Sequence, residues 1–181
     1  YMCPETDALH KISIVSRGMA LGVTWFLPQE DQYTTSKTKF LDEICSLLGG
    51  RAAEELVFNE MTTGASNDIE KASHIARNMA MRYGMGDDSL GPIAYGERQG
   101  TMFLGVDPAY TRNYSEEMAK EIDTFVRRTI KEQYERALVL LEKHRGKLDE
   151  LAEQLLKKET MSIEEFEEKF TGKKSDNKKK K

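Results

Sequence analysis

The chain has 181 residues, 39% of them hydrophobic and 32% charged, with a formal charge of −4. That length suits one ordinary domain, or one compact domain with an appended helical element, and the composition excludes a disordered or fibrous protein in favour of one rich in amphipathic helices. The charge is uneven: residues 172–181 hold six Lys and one Asp, so a basic tail of +5 follows a body of −9.

In chain order, the start Tyr1-Met2-Cys3-Pro4 is followed by Glu5 and Asp7, which is the wrong charge pattern for a secretory signal and reads as cut from something longer. Lys11 to Val15 partly alternates, Arg17-Gly18 is a turn signal, and Ala20 to Leu27 is rich in β-branched and aromatic residues, so a small β-hairpin is predicted. A lone two-stranded ribbon is marginal in water, so the hairpin must pack on helices or gain a strand from elsewhere. One edge could stay free.

From Ser36 to about Phe58, Phe40, Leu41, Ile44, Leu47, Leu48, Ala52, Leu56 and Val57 fall at helical spacing. Gly49-Gly50 interrupts this helix at about 1 kcal/mol each relative to Ala, which implies either close approach of another backbone or a break. A second helix is predicted from Asn67, read as the N-cap with Glu70 three positions on, to a stop at Gly84. Glycines and prolines punctuate residues 85–113, predicting a mobile loop with short extended pieces near Ile93 to Tyr95 and Thr101 to Leu104. Ser115 opens a long helix that ends or bends at Gly146, a further amphipathic helix carries Leu148, Leu151 and Leu155, and Ser162-Ile163-Glu164-Glu165 forms a capping box before a short helix ending near Phe170. The predicted class is mainly α with a small β-hairpin or sheet near the amino terminus, in one domain over 1–171. The tail, 172–181, reads as solvated and disordered. It has neither aromatics between its charges nor Arg to read a base edge, so no nucleic-acid partner is expected, and lipid binding is the weaker alternative.

Several chemistries are missing. Cys3 and Cys45 are too few and too far apart for a Cys-x-x-Cys zinc site or a disulfide framework, and a reducing compartment is the simpler reading. His10, His74 and His144 are too widely spaced to place two on one helical turn, and His-Glu-x-x-His does not occur. Neither a phosphate-binding Gly-x-x-x-x-Gly-Lys-Ser/Thr loop nor a Gly-x-Ser-x-Gly elbow is present, so neither ATP hydrolysis nor a serine hydrolase is readable. Asp68, directly after Thr62-Thr63-Gly64-Ala65-Ser66-Asn67, stands out as an acid in a helix's first turn. Taken alone it complements the helix dipole, a contribution of about 0.3–1 kcal/mol.

The run Leu47 to Phe58, reading Leu-Leu-Gly-Gly-Arg-Ala-Ala-Glu-Glu-Leu-Val-Phe, followed by Thr62 to Ile69, reading Thr-Thr-Gly-Ala-Ser-Asn-Asp-Ile, resembles the peptidase domain of the FtsH family of ATP-dependent zinc metalloproteases. Supporting stretches are His10 to Ile14, Gly18 to Thr24, Gly91-Pro92, Phe103 to Gly105 and Tyr134 to Ala137, and the resemblance covers residues 4–170.

The resemblance implies that Asp68 is the third zinc ligand, that two histidines and a general-base glutamate come from a His-Glu-x-x-His helix upstream of Tyr1, and that no catalytic base lies in this chain. His10 matches a strand segment of the family and not a ligand. Asn67 would cap the helix or, alternatively, donate to the ligand. Leu21, Gly22 and Val23 are the candidate edge strand that pairs with an extended polypeptide substrate, against the alternative that Leu21 and Val23 only fill the core. The implied setting is a homo-hexamer whose ATPase module uses ATP and feeds in unfolded or membrane proteins, on the cytoplasmic face of a bacterial inner membrane or its mitochondrial or plastid equivalent. The chain alone is expected to be inactive and to hold zinc weakly or not at all. The competing reading is a non-catalytic helical interaction or assembly module that retains the scaffold.

Overall fold

The computed structural model describes residues 1–16, 22–27, 34–99 and 109–170. Its element order is β1 (Ala8–Ser13), β2 (Val23–Leu27), α1 (Lys37–Phe58), a 3-10 turn (Thr63–Ala65), α2 (Ser66–Met81), β3 (Glu97–Gln99), β4 (Ala109–Thr111), α3 (Glu116–Lys143), α4 (Arg145–Lys158), β5 (Thr160–Ser162) and α5 (Ile163–Phe170). Helices dominate, as the periodicity predicts. The length suggests a single core, but the chain divides into two compact units, residues 1–33 with 140–181 and residues 34–139, and the buried apolar side chains form a cluster in each.

The first unit is built on a three-stranded antiparallel sheet of order β2-β1-β5. The predicted hairpin pairs Ser13 with Val23 and Lys11 with Trp25, and its extra strand comes from near the other end of the chain, where Met161 faces Ile12. Between Leu9 and Lys11 the register shifts, leaving His10 as the extra residue of a β-bulge. Leu155, Met161, Phe166 and Phe170 form the cluster, with Leu9, Ile12, Leu151 and Ile163 packed on it. The capping box at α5 is present: Ser162 Oγ accepts from Glu165 N–H at 3.4 Å, and Glu165 Oε2 accepts from Ser162 N–H at 3.3 Å.

In the second unit, α1 starts as predicted, with Ser36 Oγ accepting from Lys39 N–H at 3.1 Å. It ends at Asn59, whose left-handed backbone (φ 51°) lets its N–H reach Glu55 O at 2.9 Å. Ile44, Leu48 and Ala52 on α1 meet Ala72, Ala76, Met79 and Ala80 on α2, and α3 adds Ile122, Phe125 and Val126. Each fully buried Ile or Met there stabilises by roughly 1.5–3 kcal/mol. Asp42 is buried among them, and Arg136 Nη1 of α3 lies 2.7 Å from its Oδ1. Glu55 accepts a short hydrogen bond from the Tyr134 hydroxyl. Burial, together with that bond, pushes the Tyr134 pKa up to about 12.

Three local expectations are corrected. Gly49 and Gly50 lie within an unbroken α1, and a Cβ on either would meet nothing within 4 Å, so the pair neither breaks the helix nor admits another backbone among the described residues. Packing by Leu48 and Ala52 on either side outweighs the local propensity cost. The bend after α3 falls at His144 (φ −112°, ψ 22°), with Gly146 inside α4. Of the extended pieces predicted in residues 85–113, Ile93 to Tyr95 forms no strand; Thr101 to Leu104 lies outside the described residues, and the pairing seen is β3 with β4.

Candidate metal centre

The segment that carries Asp68 is reached through a turn built from α1. After Asn59 the chain runs to Thr62, whose N–H and hydroxyl both donate to the Glu54 carboxylate, at 3.3 Å to Oε2 and 2.6 Å to Oε1. These bonds from Thr62, hydroxyl first, hold the Glu54 carboxyl below its usual range. Thr62 Oγ1 in turn accepts from Gly64 N–H at 3.1 Å, capping the 3-10 turn, and Ser66 N–H returns to Thr63 O. Ala65 is buried, and α2 begins at the next residue.

This placement corrects the expected N-cap. The capping position of α2 is Ala65, with no side-chain bond, and Asn67 lies within the first helical turn. The 3-10 turn takes over the stretch where a cap would stand. The far end of α2 also comes earlier than expected, at Met81; Gly84, with φ +59°, follows it.

Asp68 is the third residue of α2, and its side chain is 47% exposed. Lys71 Nζ lies 3.9 Å from its Oδ1, a long pair between half-exposed groups that contributes little. A half-exposed carboxylate at a helix start has the right chemistry for one protein position of a catalytic zinc, which takes three protein ligands and leaves a place for water. Among the described residues no group of three His, Cys, Asp or Glu side chains could hold a metal ion. His74 is exposed two turns further along α2.

The other predicted site residues belong to the first unit. Leu21 lies outside the described residues. Gly22 has a structural reason to be glycine, since a Cβ there would sit 2.9 Å from Ser13 O, a backbone atom that cannot step aside cheaply. Val23 is half-buried and opens β2, which has β1 on one side and, among the described residues, no strand on the other. Phe26 and Leu27 on the same strand are exposed. His10, at the bulge of β1, is exposed too. Both cysteines are buried and unbridged.

A family model described as Peptidase family M41 matches residues 1–168. The chain belongs to that family. This M41 chain is 48% identical over 171 residues, 94% of its length, to "ATP-dependent zinc metalloprotease FtsH 1" of Thermoanaerobacter sp. strain X514, covering 28% of that protein. It is 48% identical to "ATP-dependent zinc metalloprotease FtsH" of Thermotoga maritima, with 90% of this chain and 27% of that protein covered. To the Bacillus subtilis protein of that name it is 47% identical, with 90% and 25% covered. The M41 chain therefore spans about a quarter of the length of the curated relatives it matches. Among its described residues no helix is long and apolar enough to cross a membrane.

Sequence reasoning singled out Asp68 but gave no role to Glu54 or Thr62. Their link spans eight residues across a helix end, which no helical or strand period predicts.

Proposed function

We propose that this chain is the carboxyl-terminal portion of the peptidase domain of an ATP-dependent zinc endopeptidase, with Asp68 as one zinc ligand. Two histidines and the general-base glutamate come from a His-Glu-x-x-His segment upstream of Tyr1. The observation that carries the reading is the M41 match together with a half-exposed Asp68 at the start of α2, directly after a turn fastened to α1. When bound there, zinc would lower the pKa of a water to about 7 and polarise the scissile carbonyl. Asp68 supplies a charged oxygen donor.

The side of β2 away from β1, which carries no strand among the described residues, offers backbone groups for pairing an extended polypeptide, with Leu21 and Gly22 preceding Val23 in sequence. Substrates are unfolded or membrane proteins, delivered by an ATPase module of the same parent within a homo-hexamer anchored at a bacterial inner membrane, with this domain on the cytoplasmic face. ATP acts at that module and not here. The chain by itself is inactive and holds no stoichiometric zinc.

The test is made in the full-length protein. Asp68→Asn is expected to remove most of the bound zinc, read by elemental analysis, and to lower casein cleavage by at least about 100-fold while ATP hydrolysis persists. Full zinc and full cleavage in that variant refute the ligand assignment. Altered residues in place of His-Glu-x-x-His would instead favour the non-catalytic module. For β2, a non-cleaved peptide is expected to slow amide exchange at its free edge; unchanged exchange at saturation refutes the edge-strand role.

A further inference from the structure

Asp68 sits in the first turn of a helix that lacks a side-chain cap. The first four N–H groups of a helix have no partner within it, and an uncapped start frays. A ligand carried on such a turn would sample several positions, whereas a metal site tolerates only small departures in distance. Something outside α2 has to hold its start.

The hydrogen bonds identify that support. Thr62 is the capping residue of the 3-10 turn that leads directly into α2, and its hydroxyl accepts from Gly64 N–H. The same hydroxyl donates to Glu54, and the Thr62 N–H takes the other oxygen of that carboxylate. Arg51 Nη1, one turn back on α1, lies 3.9 Å from Glu54 Oε2. α1 itself is anchored by Ile44, Leu48 and Ala52 in the core. A continuous path therefore runs from a buried helix through Glu54 and Thr62 to the turn that begins α2. Space around it is tight: a Cβ at Gly64 would lie 3.2 Å from Thr62 Oγ1 and 3.5 Å from Glu54 Oε1.

We propose that Thr62 is a positioning residue for Asp68, its hydroxyl tying the start of α2 to Glu54 of α1. The inference rests on Asp68 being a metal ligand, as proposed above. The hydroxyl both donates and accepts, so Ser can replace Thr, whereas Val keeps the shape and loses both bonds.

The experiment measures zinc affinity of the full-length protein by chelator competition for wild type, Thr62→Val, Thr62→Ser, Glu54→Gln and Asp68→Asn. Thr62→Val is expected to weaken zinc binding by about 10- to 100-fold, with Thr62→Ser close to wild type and Glu54→Gln, which keeps one acceptor oxygen, in between. Amide exchange at Gly64 and Ser66 should accelerate in Thr62→Val without zinc, while exchange in the middle of α1 stays as it was. Wild-type zinc affinity in Thr62→Val overturns the proposal, and so does an equal loss in Thr62→Ser. If Thr62→Val fails to fold, Glu54→Gln decides in the same way. Unchanged zinc in Asp68→Asn marks failure of the underlying ligand assignment instead, and loss in Asp68→Asn with Thr62→Val unaffected marks failure of the positioning role alone.

Discussion

The helices α2 and α5 begin in opposite ways. α5 is capped by residues adjacent in sequence, with Ser162 and Glu165 exchanging bonds inside one turn. α2 has no side-chain cap and follows a 3-10 turn that Thr62 caps and ties to Glu54, so the turn leading into it is fastened to α1. The capping-box start serves packing: Phe166 and Phe170 go into the apolar cluster of their unit. The uncapped start carries the candidate ligand. A start fastened through such a turn is sensitive to disturbance elsewhere, but it relates Asp68 to a second element and not merely to its own helix.

The dependence of α2 on α1 can be strained most strongly at Arg136. Arg136→Leu would leave the Asp42 carboxylate, buried on α1, without its 2.7 Å partner, and about 3 kcal/mol of stability should be lost in denaturant titration. If α2 does rest on α1, amide exchange at the start of α2 should rise in the same variant. The contrasting helix start is tested by Ser162→Ala, expected to cost about 1 kcal/mol, with faster exchange at α5 and none at α2.

The smallest effect lies beyond the far end of α2. Bonds from the Ser89 hydroxyl and then from Arg128 of α3 lower the Asp87 pKa from 3.8 to about 2. The folded form thus binds protons less readily than the unfolded one. Its stabilisation is complete above the ordinary Asp value and is lost as pH falls through about 2. Arg128 is half-exposed, so the contribution stays under about 1 kcal/mol, and Asp87→Asn should flatten the acid limb of a stability-against-pH curve by that amount.

What was legible in the sequence follows the range over which each signal acts. α1 and α3 were readable because Ile44, Leu48 and Ala52, or Ile122, Phe125 and Val126, repeat with the helical period. The capping box at Ser162 was readable because its partners are three residues apart. Strand β5 was not, because Thr160-Met161-Ser162 is too short to show an alternation and is strand only because β1 lies beside it. Asn67 misled because its residue type favours a cap, while the 3-10 turn had already used that stretch of backbone. Asp68 was found through the motif around it. Its supports, Glu54 and Thr62, were not, because a bond across a helix end leaves no period in the sequence.

Strand β5 also bears on the order in which the molecule can assemble. Ser13 and Thr160, whose hydroxyls lie 3.1 Å apart, are separated by 147 residues. Closing so long a loop is entropically costly and slow compared with the local contacts of residues 34–139. On a ribosome, residues 34–139 can therefore form their helices while β1 and β2 wait, and the sheet is completed only once Thr160–Ser162 has emerged. The strand proposed to pair with a substrate thus belongs to a unit completed later than residues 34–139.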